Sequence, residues 1–171
     1  VFITYLVIFV PRFDYIYGRI FSFFNRDTGT HNFQSDKAIE SITSGGFFGK
    51  GIGEGTLKNR VPEAHTDYII SVISEEFGVV AIILILLLFL ILIYMVFKKI
   101  NYEKNEKIKL ILIGCVSLIL MQATIHIGVN IRLFPTTGMT LPFLSYGGSS
   151  IISISIISGI ILNLTKRKVE N

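Results

Sequence analysis

Residues 62–78, PEAHTDYIISVISEEFG, bring together the ionisable side chains that are best suited to catalysis. They are Glu63, His65, Asp67, Glu75 and Glu76. A carboxylate within hydrogen-bond reach of a hydroxyl can act as a general base and remove its proton. A charge-free run, VVAIILILLLFLILIYMVF, follows at once. Carboxylates at membrane depth usually face a cavity and have a function, which favours a catalytic or transport role. The structural alternative is that Asp67 only caps a helix and that the glutamates mark the level of the lipid headgroups.

Local signals predict a helix that begins near Tyr68. Thr66 or Asp67 can serve as its N-cap, because both side chains can accept a hydrogen bond from a first-turn amide. Helical spacing then places a set of polar and small residues on one face. This face consists of Asp67, Ser71, Ser74, Glu75 and Gly78.

The composition indicates a membrane protein. The chain has 171 residues, of which 51% are hydrophobic and 16% are charged, whereas soluble domains carry about 25% charged residues. Apolar runs at 77–97, 110–131 and 148–165 approach or reach the roughly 20 residues that cross a bilayer. We therefore expect an all-α, polytopic membrane fragment with a large extracytoplasmic loop. The single cysteine, Cys115, excludes a disulfide within the chain and is expected to be an apolar filler.

Basic residues set the expected orientation. Lysines crowd residues 98–109, between the first two spans, and basic residues recur at 166–168 after the last span. The positive-inside rule makes that side cytoplasmic, and basic residues at membrane edges do not indicate a nucleic-acid partner. We expect membrane helices at 68–98, 108–131 and 148–165, and the end of a helix that starts before Val1 at 1–11. Outer loops at 12–67 and 132–147 then lie on the same membrane surface.

The first outer loop contains two further features. Residues 34–45, QSDKAIESITSG, can form a short amphipathic helix whose apolar side is Ala38, Ile39 and Ile42. The following GGFFGKGIGEG is not a nucleotide-binding P-loop, because Lys50 is followed by glycine. It is either a flexible turn on the membrane surface or a backbone that approaches a ligand closely, with Lys50 as a cationic contact.

The second span carries a polar line. Gln122, His126 and Asn130 recur every four residues on an otherwise apolar helix. Such residues usually form hydrogen bonds between membrane helices. A proton path or a cavity lining is the alternative.

The second outer loop cannot be a continuous helix, because Pro135 and Pro142 interrupt it. It is also too apolar for a solvated loop, so a partly re-entrant segment packed against protein is expected. A helix begins again near Gly147 and Ser149, where free amides suit an anion. Arg132 adds a positive charge, although a packed turn with ordinary caps is the alternative.

Three motifs together resemble the SEDS family of cell-wall proteins, which includes FtsW, RodA and the sporulation homologue. They are GGFFGKGIGEG at 45–55, PEAHTDYIISVISEEFG at 62–78 and GVNIRLFPTTGMTLPFLSYGGSS at 128–150. The resemblance covers essentially the whole chain and corresponds to the C-terminal portion of the family's fold. PTTGMTLPF is most similar to the division branch, FtsW. His126 departs from the pattern, since the family often has Asn there.

The resemblance implies a peptidoglycan glycosyltransferase that polymerises lipid II during cell division. It implies a multi-pass protein of the bacterial cytoplasmic membrane that works with a class B penicillin-binding transpeptidase and other division proteins. The family's essential acid matches Asp67, the expected catalytic residue. The expected substrate-binding residues are Arg12, Arg19, Lys50, Glu63, His65, Arg132, Ser145, Gly147, Gly148 and Ser149.

Two other functions stay open at this point. A lipid II flippase would use the polar line as a transport path, and a non-catalytic division scaffold would need neither Asp67 nor that line. No cofactor is assigned, and a requirement for a divalent cation, Mg²⁺ or Mn²⁺, is left open. Whether the 171-residue chain is active by itself is open as well.

Overall fold

The computed structural model describes residues 30–61 and 64–166, together with Gly18 and Phe23. Throughout this part of the chain the regular structure is helical, as the composition predicted. The five helices of residues 30–166 are α1 (Thr30–Gly45), α2 (Leu57–Arg60), α3 (Ile69–Tyr102), α4 (Glu106–Asn130) and α5 (Gly148–Thr165).

Helices α3, α4 and α5 are long and apolar enough to cross a membrane. Their shared core lies towards the lysine-rich end, where Val96, Leu112, Ile119 and Ile161 pack together. Cys115 is buried in the same cluster, in agreement with its expected role as a filler. Most of the remaining surface of α3 is apolar and exposed, as expected of a helix that contacts lipid or other membrane helices.

Helix α1 confirms the amphipathic helix expected at 34–45, although it begins earlier, at Thr30. Ala38 is fully buried and packs in one cluster with Leu57, Tyr68 and Val129. Helix α1 contacts α3 more extensively than any other helix. We call the described part of the first outer loop, residues 30–61 and 64–67, the first outer segment, and residues 132–147 the second outer segment. The first outer segment is therefore a packed part of the fold that leads directly to Asp67.

Helix α3 is broken at Gly78, which the sequence pattern did not predict. Gly78 has φ 77° and ψ −175°, outside the helical region. A Cβ at this position would lie 2.2 Å from the carbonyl oxygen of Phe47, so only glycine fits. The break divides the ionisable stretch of α3 from its charge-free run.

The glycine-rich loop, residues 45–55, fills this break with backbone hydrogen bonds. The amides of Lys50 and Gly51 donate to the carbonyls of Glu75 (2.9 Å) and Glu76 (3.1 Å). In return, the amides of Val79 and Val80 donate to the carbonyls of Gly46 (3.0 Å) and Phe47 (3.4 Å). These bonds satisfy backbone groups that the break would otherwise leave unpaired in an apolar setting.

The segment between α4 and α5 is irregular, as its prolines predicted. Leu141 is buried, and Phe143 lines an apolar cavity together with Phe89 and Leu92 of α3. Leu92 lies fourteen residues beyond Gly78, which corresponds to roughly 21 Å along a helix. The segment therefore reaches well below the level of the helix break, in agreement with the re-entrant interpretation.

Candidate functional site

Asp67 lies at the point where the two outer segments meet. The residue is 9% exposed and immediately precedes Tyr68, which is fully buried. Tyr68 occupies the N-cap position of α3, and its side chain makes no capping hydrogen bond. The expectation that Thr66 or Asp67 forms this cap is therefore wrong, because the helix starts one or two residues later than a cap at either position requires.

Three consecutive carbonyls fix the backbone around Asp67. The carbonyl of His65 accepts from the amide of Tyr146 (3.2 Å), and that of Thr66 accepts from the Ser145 hydroxyl (2.8 Å). The carbonyl of Asp67 itself accepts from the side-chain amide of Asn130 (2.9 Å). We call this arrangement the carbonyl clamp. It joins the two outer segments directly and confirms that they lie on the same side of the fold.

Beside Asp67 lies an open depression of about 340 Å³. It is lined largely by hydroxyl-bearing and glycine residues from the second outer segment and the start of α5, and we call it the hydroxyl-lined depression. Its lining residues are Gln122, Gly138, Met139, Thr140, Gly147, Ser149, Ser150 and Ser153. Gly138 connects it to the acid, because a Cβ on Gly138 would lie 3.9 Å from Oδ2 of Asp67.

The first turn of α5 forms one wall of this depression. Gly147 is its N-cap and has no side chain to occupy the first amides, and the helix begins at Gly148. The position predicted for this start is confirmed. Because the first amides of a helix lack intrahelical acceptors, this wall offers donors that suit an anion. Two of the expected substrate contacts, Gly147 and Ser149, line the depression, and Gly148 lies between them.

The other carboxylates of the ionisable stretch hold the outer segment together. Glu75 accepts from the Lys50 ammonium (2.8 Å), the Thr56 hydroxyl (3.1 Å) and the Leu57 amide (3.0 Å). Glu76 accepts from Lys58 at 3.0 Å. Lys50, expected as a substrate contact, is thus paired with a buried carboxylate. Both glutamates anchor the glycine-rich loop and α2 to α3, a role the sequence did not reveal.

A small polar cavity of about 170 Å³ lies beneath α1, with Lys37, Glu40, Lys50 and Glu75 in its lining. These four charges form two ion pairs, Lys37 with Glu40 and Lys50 with Glu75. The hydrogen bond from Lys37 holds the pKa of Glu40 below its usual value. Arg60 also lines this cavity, so its lining holds one cation beyond these two ion pairs.

The remaining predicted residues are spread around the clamp. Arg132 forms an ion pair with Asp36 of α1, and its backbone adopts φ 58°. His65 is exposed and takes part in the clamp through its carbonyl, whereas Ser145 takes part through its side chain and also accepts from the Leu141 amide (2.8 Å). Arg12, Arg19 and Glu63 lie outside the described residues.

The polar line of α4 confirms the structural interpretation in part, because Asn130 bonds a neighbouring helix whereas His126 bonds the irregular segment between α4 and α5. Gln122 donates to the Thr140 carbonyl (2.9 Å), and Nδ1 of His126 bonds to the Met139 carbonyl (2.8 Å). Asn130 accepts from the amide (3.1 Å) and hydroxyl (2.7 Å) of Ser71. Asn130, whose importance the sequence did not predict, joins α3 to α4 and also positions the backbone of Asp67. Its signal was its place one turn after His126, at the outer end of α4.

Two apolar cavities lie on either side of Phe143. One, of about 180 Å³, is lined by Ile85, Leu88 and neighbours on α3, and the other, of about 330 Å³, by residues of α3, α4 and α5. Phe143 lines both and has φ 68°, a backbone conformation that is strained for an aromatic residue. Such strain is often found at functional sites. Together these cavities provide an apolar surface that begins close to Leu141, at the inner side of the clamp.

Metal ligands are sparse in the part of the chain that the structure describes. Across those residues no group of three or more His, Cys, Asp or Glu side chains comes together in a way that could hold a metal ion. The described residues of the site offer one acid, hydroxyl groups and helix amides.

Comparisons with known proteins show the family of this chain. The family described as "Cell cycle protein" (FTSW_RODA_SPOVE) matches residues 1–170. A probable peptidoglycan glycosyltransferase FtsW from Enterococcus hirae is 40% identical over 161 residues, which cover 92% of this chain and 41% of that protein. A protein of the same name from Caulobacter vibrioides is 38% identical, covering 91% of this chain and 40% of that protein. The chain thus spans less than half the length of these relatives.

Proposed function

The chain belongs to the FTSW_RODA_SPOVE family of cell cycle proteins, and from this premise we propose that it is the C-terminal part of a peptidoglycan glycosyltransferase that polymerises lipid II during cell division. The relatives named above are described as probable peptidoglycan glycosyltransferases. The proposal includes a multi-pass location in the bacterial cytoplasmic membrane, with the clamp on the outer side. It also includes a class B penicillin-binding transpeptidase and other division proteins as partners.

One observation supports this proposal above the others: a buried acid lies beside an open, hydroxyl-lined depression at the outer end of the membrane helices. The carboxylate of Asp67 faces Gly138, and Gly138 lines the depression. In the proposed reaction, Asp67 removes the proton from the acceptor sugar hydroxyl. The resulting oxygen attacks the anomeric carbon of the donor, and the bond to the diphosphate breaks.

The departing diphosphate carries negative charge that the site must stabilise. The first amides of α5, with the hydroxyl of Ser149 beside them, form a wall of donors at the depression, whereas the Thr140 hydroxyl donates to Ser150. Preorganised donors of this kind lower the barrier because they are already oriented towards the developing charge. Lys50 and Arg132 are engaged in ion pairs, so in this proposal they position the outer segment and do not meet the diphosphate directly. Arg12 and Arg19 remain proposed contacts.

The polyprenyl tail of lipid II requires an apolar path that starts near the site. The cavities on both sides of Phe143 have linings that are almost entirely apolar, and they extend along α3 towards α5. Leu141, next to Pro142 in the lining of the first cavity, donates its amide to Ser145 of the clamp. The tail would therefore leave the reaction site directly into the apolar region between the helices.

The test is lipid II polymerisation by the complete protein in liposomes. We expect Asp67→Asn to abolish glycan strand formation, because the amide cannot accept the proton. The matched control is Glu54→Gln, which neutralises an exposed carboxylate of the same outer segment and is expected to leave the rate unchanged. Equal strand formation by Asp67→Asn and the unmodified protein would refute the proposal.

The flippase alternative predicts a different result. It requires Gln122, His126 and Asn130 to line a path, but Gln122, Asn130 and Nδ1 of His126 are bonded to fixed partners, and the buried Nε2 of His126 has no partner among the described residues. A flippase would move labelled lipid II across the bilayer with Asp67→Asn in place. A scaffold would also tolerate this substitution, and it would show neither transport nor polymerisation.

A further inference from the structure

The glycine-rich loop is held at a defined height along α3. Its backbone is bonded to both sides of the break at Gly78, through Glu75 and Glu76 above and Val79 and Val80 below. The break coincides with the start of the charge-free run, which begins at Phe77 and ends before Lys98. When α3 spans a bilayer, the loop must therefore lie at the outer boundary of the hydrocarbon region.

The tip of this loop is strongly apolar and exposed. The exposed fractions are 76% for Phe47, 87% for Phe48 and 81% for Ile52. The cationic and acidic residues beside the tip are paired with one another, Lys50 with Glu75 and Lys58 with Glu76. The fold therefore pairs Lys50 and Lys58 internally, while Glu54 and the large apolar side chains of the tip are exposed.

The apolar tip is continuous with a surface already expected to contact lipid. Phe47 accepts a hydrogen bond from Val80, and Val79, Val80, Ile83 and Leu84 form an exposed apolar surface on α3 directly below it. A solvated loop at this level would leave two phenylalanine side chains in water beside an apolar surface, which is unfavourable because exposed apolar area is not removed from water.

We propose that Phe47, Phe48 and Ile52 insert into the outer leaflet of the lipid bilayer and anchor the outer segment at the membrane interface. Apolar side chains of interfacial segments typically reach about 5–10 Å into the boundary between headgroups and acyl chains. The loop is bonded through Glu75 to the same helix that Asp67 precedes. Its insertion fixes the height of the clamp relative to the membrane surface. This proposal does not depend on the reaction proposed for Asp67.

Lipid is favoured over a protein occupant because of the rigid attachment of the loop. Two of its amides and two of its carbonyls are bonded to α3 itself, so the tip cannot leave this height to meet a partner above the membrane. A protein occupant would have to be another membrane-embedded segment that covers the tip at the same level.

The test is site-specific photocrosslinking in the complete protein, reconstituted in vesicles of phosphatidylethanolamine and phosphatidylglycerol. The photoreactive residue p-benzoylphenylalanine replaces Phe48 and preserves an aromatic side chain. Parallel substitutions replace Leu90, an exposed residue in the charge-free run, and Asn59, an exposed polar residue of α2. Adducts are identified by the mass they add to the protein.

We expect phospholipid adducts at position 48, as at position 90, and no phospholipid adducts at position 59. The double variant Phe47→Ser and Phe48→Ser, with the photoreactive residue at position 52, is expected to give fewer lipid adducts at 52 than the otherwise unmodified loop. Crosslinks from position 48 to protein alone, while position 90 labels lipid, would overturn the proposal and identify a membrane-embedded protein segment as the occupant. Absence of lipid adducts at 48 would overturn it as well.

Discussion

Replacing Gly78 with alanine is expected to destabilise the protein strongly. The added Cβ would lie 2.2 Å from the Phe47 carbonyl oxygen and 2.5 Å from the Gly49 amide nitrogen. The Phe47 oxygen accepts from the Val80 amide across the break, and the Gly49 amide donates to the Gly45 carbonyl within the loop (2.8 Å), so neither atom can move aside without disturbing its hydrogen bond. The glycine-rich loop would have to leave its site, or the helix break would have to change shape.

The magnitude follows from two contributions. The backbone of Gly78, with φ 77° and ψ −175°, lies in a region used almost only by glycine, and occupying it with alanine costs about 1–3 kcal/mol. Displacement of the loop would also remove hydrogen bonds worth about 1 kcal/mol each, and four join it to α3. We therefore expect a loss of about 3 kcal/mol or more in the free energy of unfolding.

The buried thiol of Cys115 provides the assay, because a thiol-reactive fluorogenic dye reaches it only when the helices separate. The matched control is Gly159→Ala in α5, where a Cβ meets nothing within 4 Å. Alanine there should be neutral or stabilising by about 0.5–1 kcal/mol, since it favours the helix. If the Cys115 thiol becomes reactive at the same temperature in Gly78→Ala and in Gly159→Ala, the loop does not fill the break as described.

Two further substitutions test the contacts that position Asp67 and the outer segment. Asn130→Leu leaves the Ser71 hydroxyl and the Asp67 carbonyl without their partner, so we expect a loss of about 1–3 kcal/mol for each unsatisfied group, and the same dye assay should show lower stability than Asn59→Leu on the surface. Glu75→Gln removes the charge that receives three donors and should cost about 1–3 kcal/mol, with faster proteolysis of the glycine-rich loop. Its control, Glu103→Gln, removes a 3.9 Å surface pair with Lys99, which is worth about 0.3–0.5 kcal/mol, and keeps an oxygen that can accept from the Lys104 and Asn105 amides. Equal protease sensitivity of the two glutamine variants would contradict the anchoring role of Glu75.

The sequence predicted the features of this fold that depend on local periodicity. Uninterrupted apolar runs gave the three long helices, and Ala38 with its helical neighbours gave α1. Gly147 and Gly148 indicated the start of α5, because they follow a loop that its prolines prevent from being helical and precede an apolar run. The polar line on α4 was also readable, since its spacing matches one helical face.

Features that depend on distant partners could not be predicted in the same way. Gly78 lies between glutamates and an apolar run, and within a helical pattern a single glycine is usually tolerated. Its meaning depends on Phe47 and Gly49, which approach from another segment. Likewise, the sequence shows Glu75 as a carboxylate near the membrane, but not that Lys50, Thr56 and Leu57 surround it.

The carbonyl clamp has a consequence for the order in which the protein is made. Asp67 leaves the ribosome before the residues that hold it, because Asn130 follows it by 63 residues and Ser145 follows Thr66 by 79. The acid can therefore adopt its final geometry only after α4 has entered the membrane and the second outer segment has been synthesised. A nascent chain that stops short of Tyr146 carries the proposed catalytic group without its complete support, so the site can form only after α4 and the second outer segment have been made.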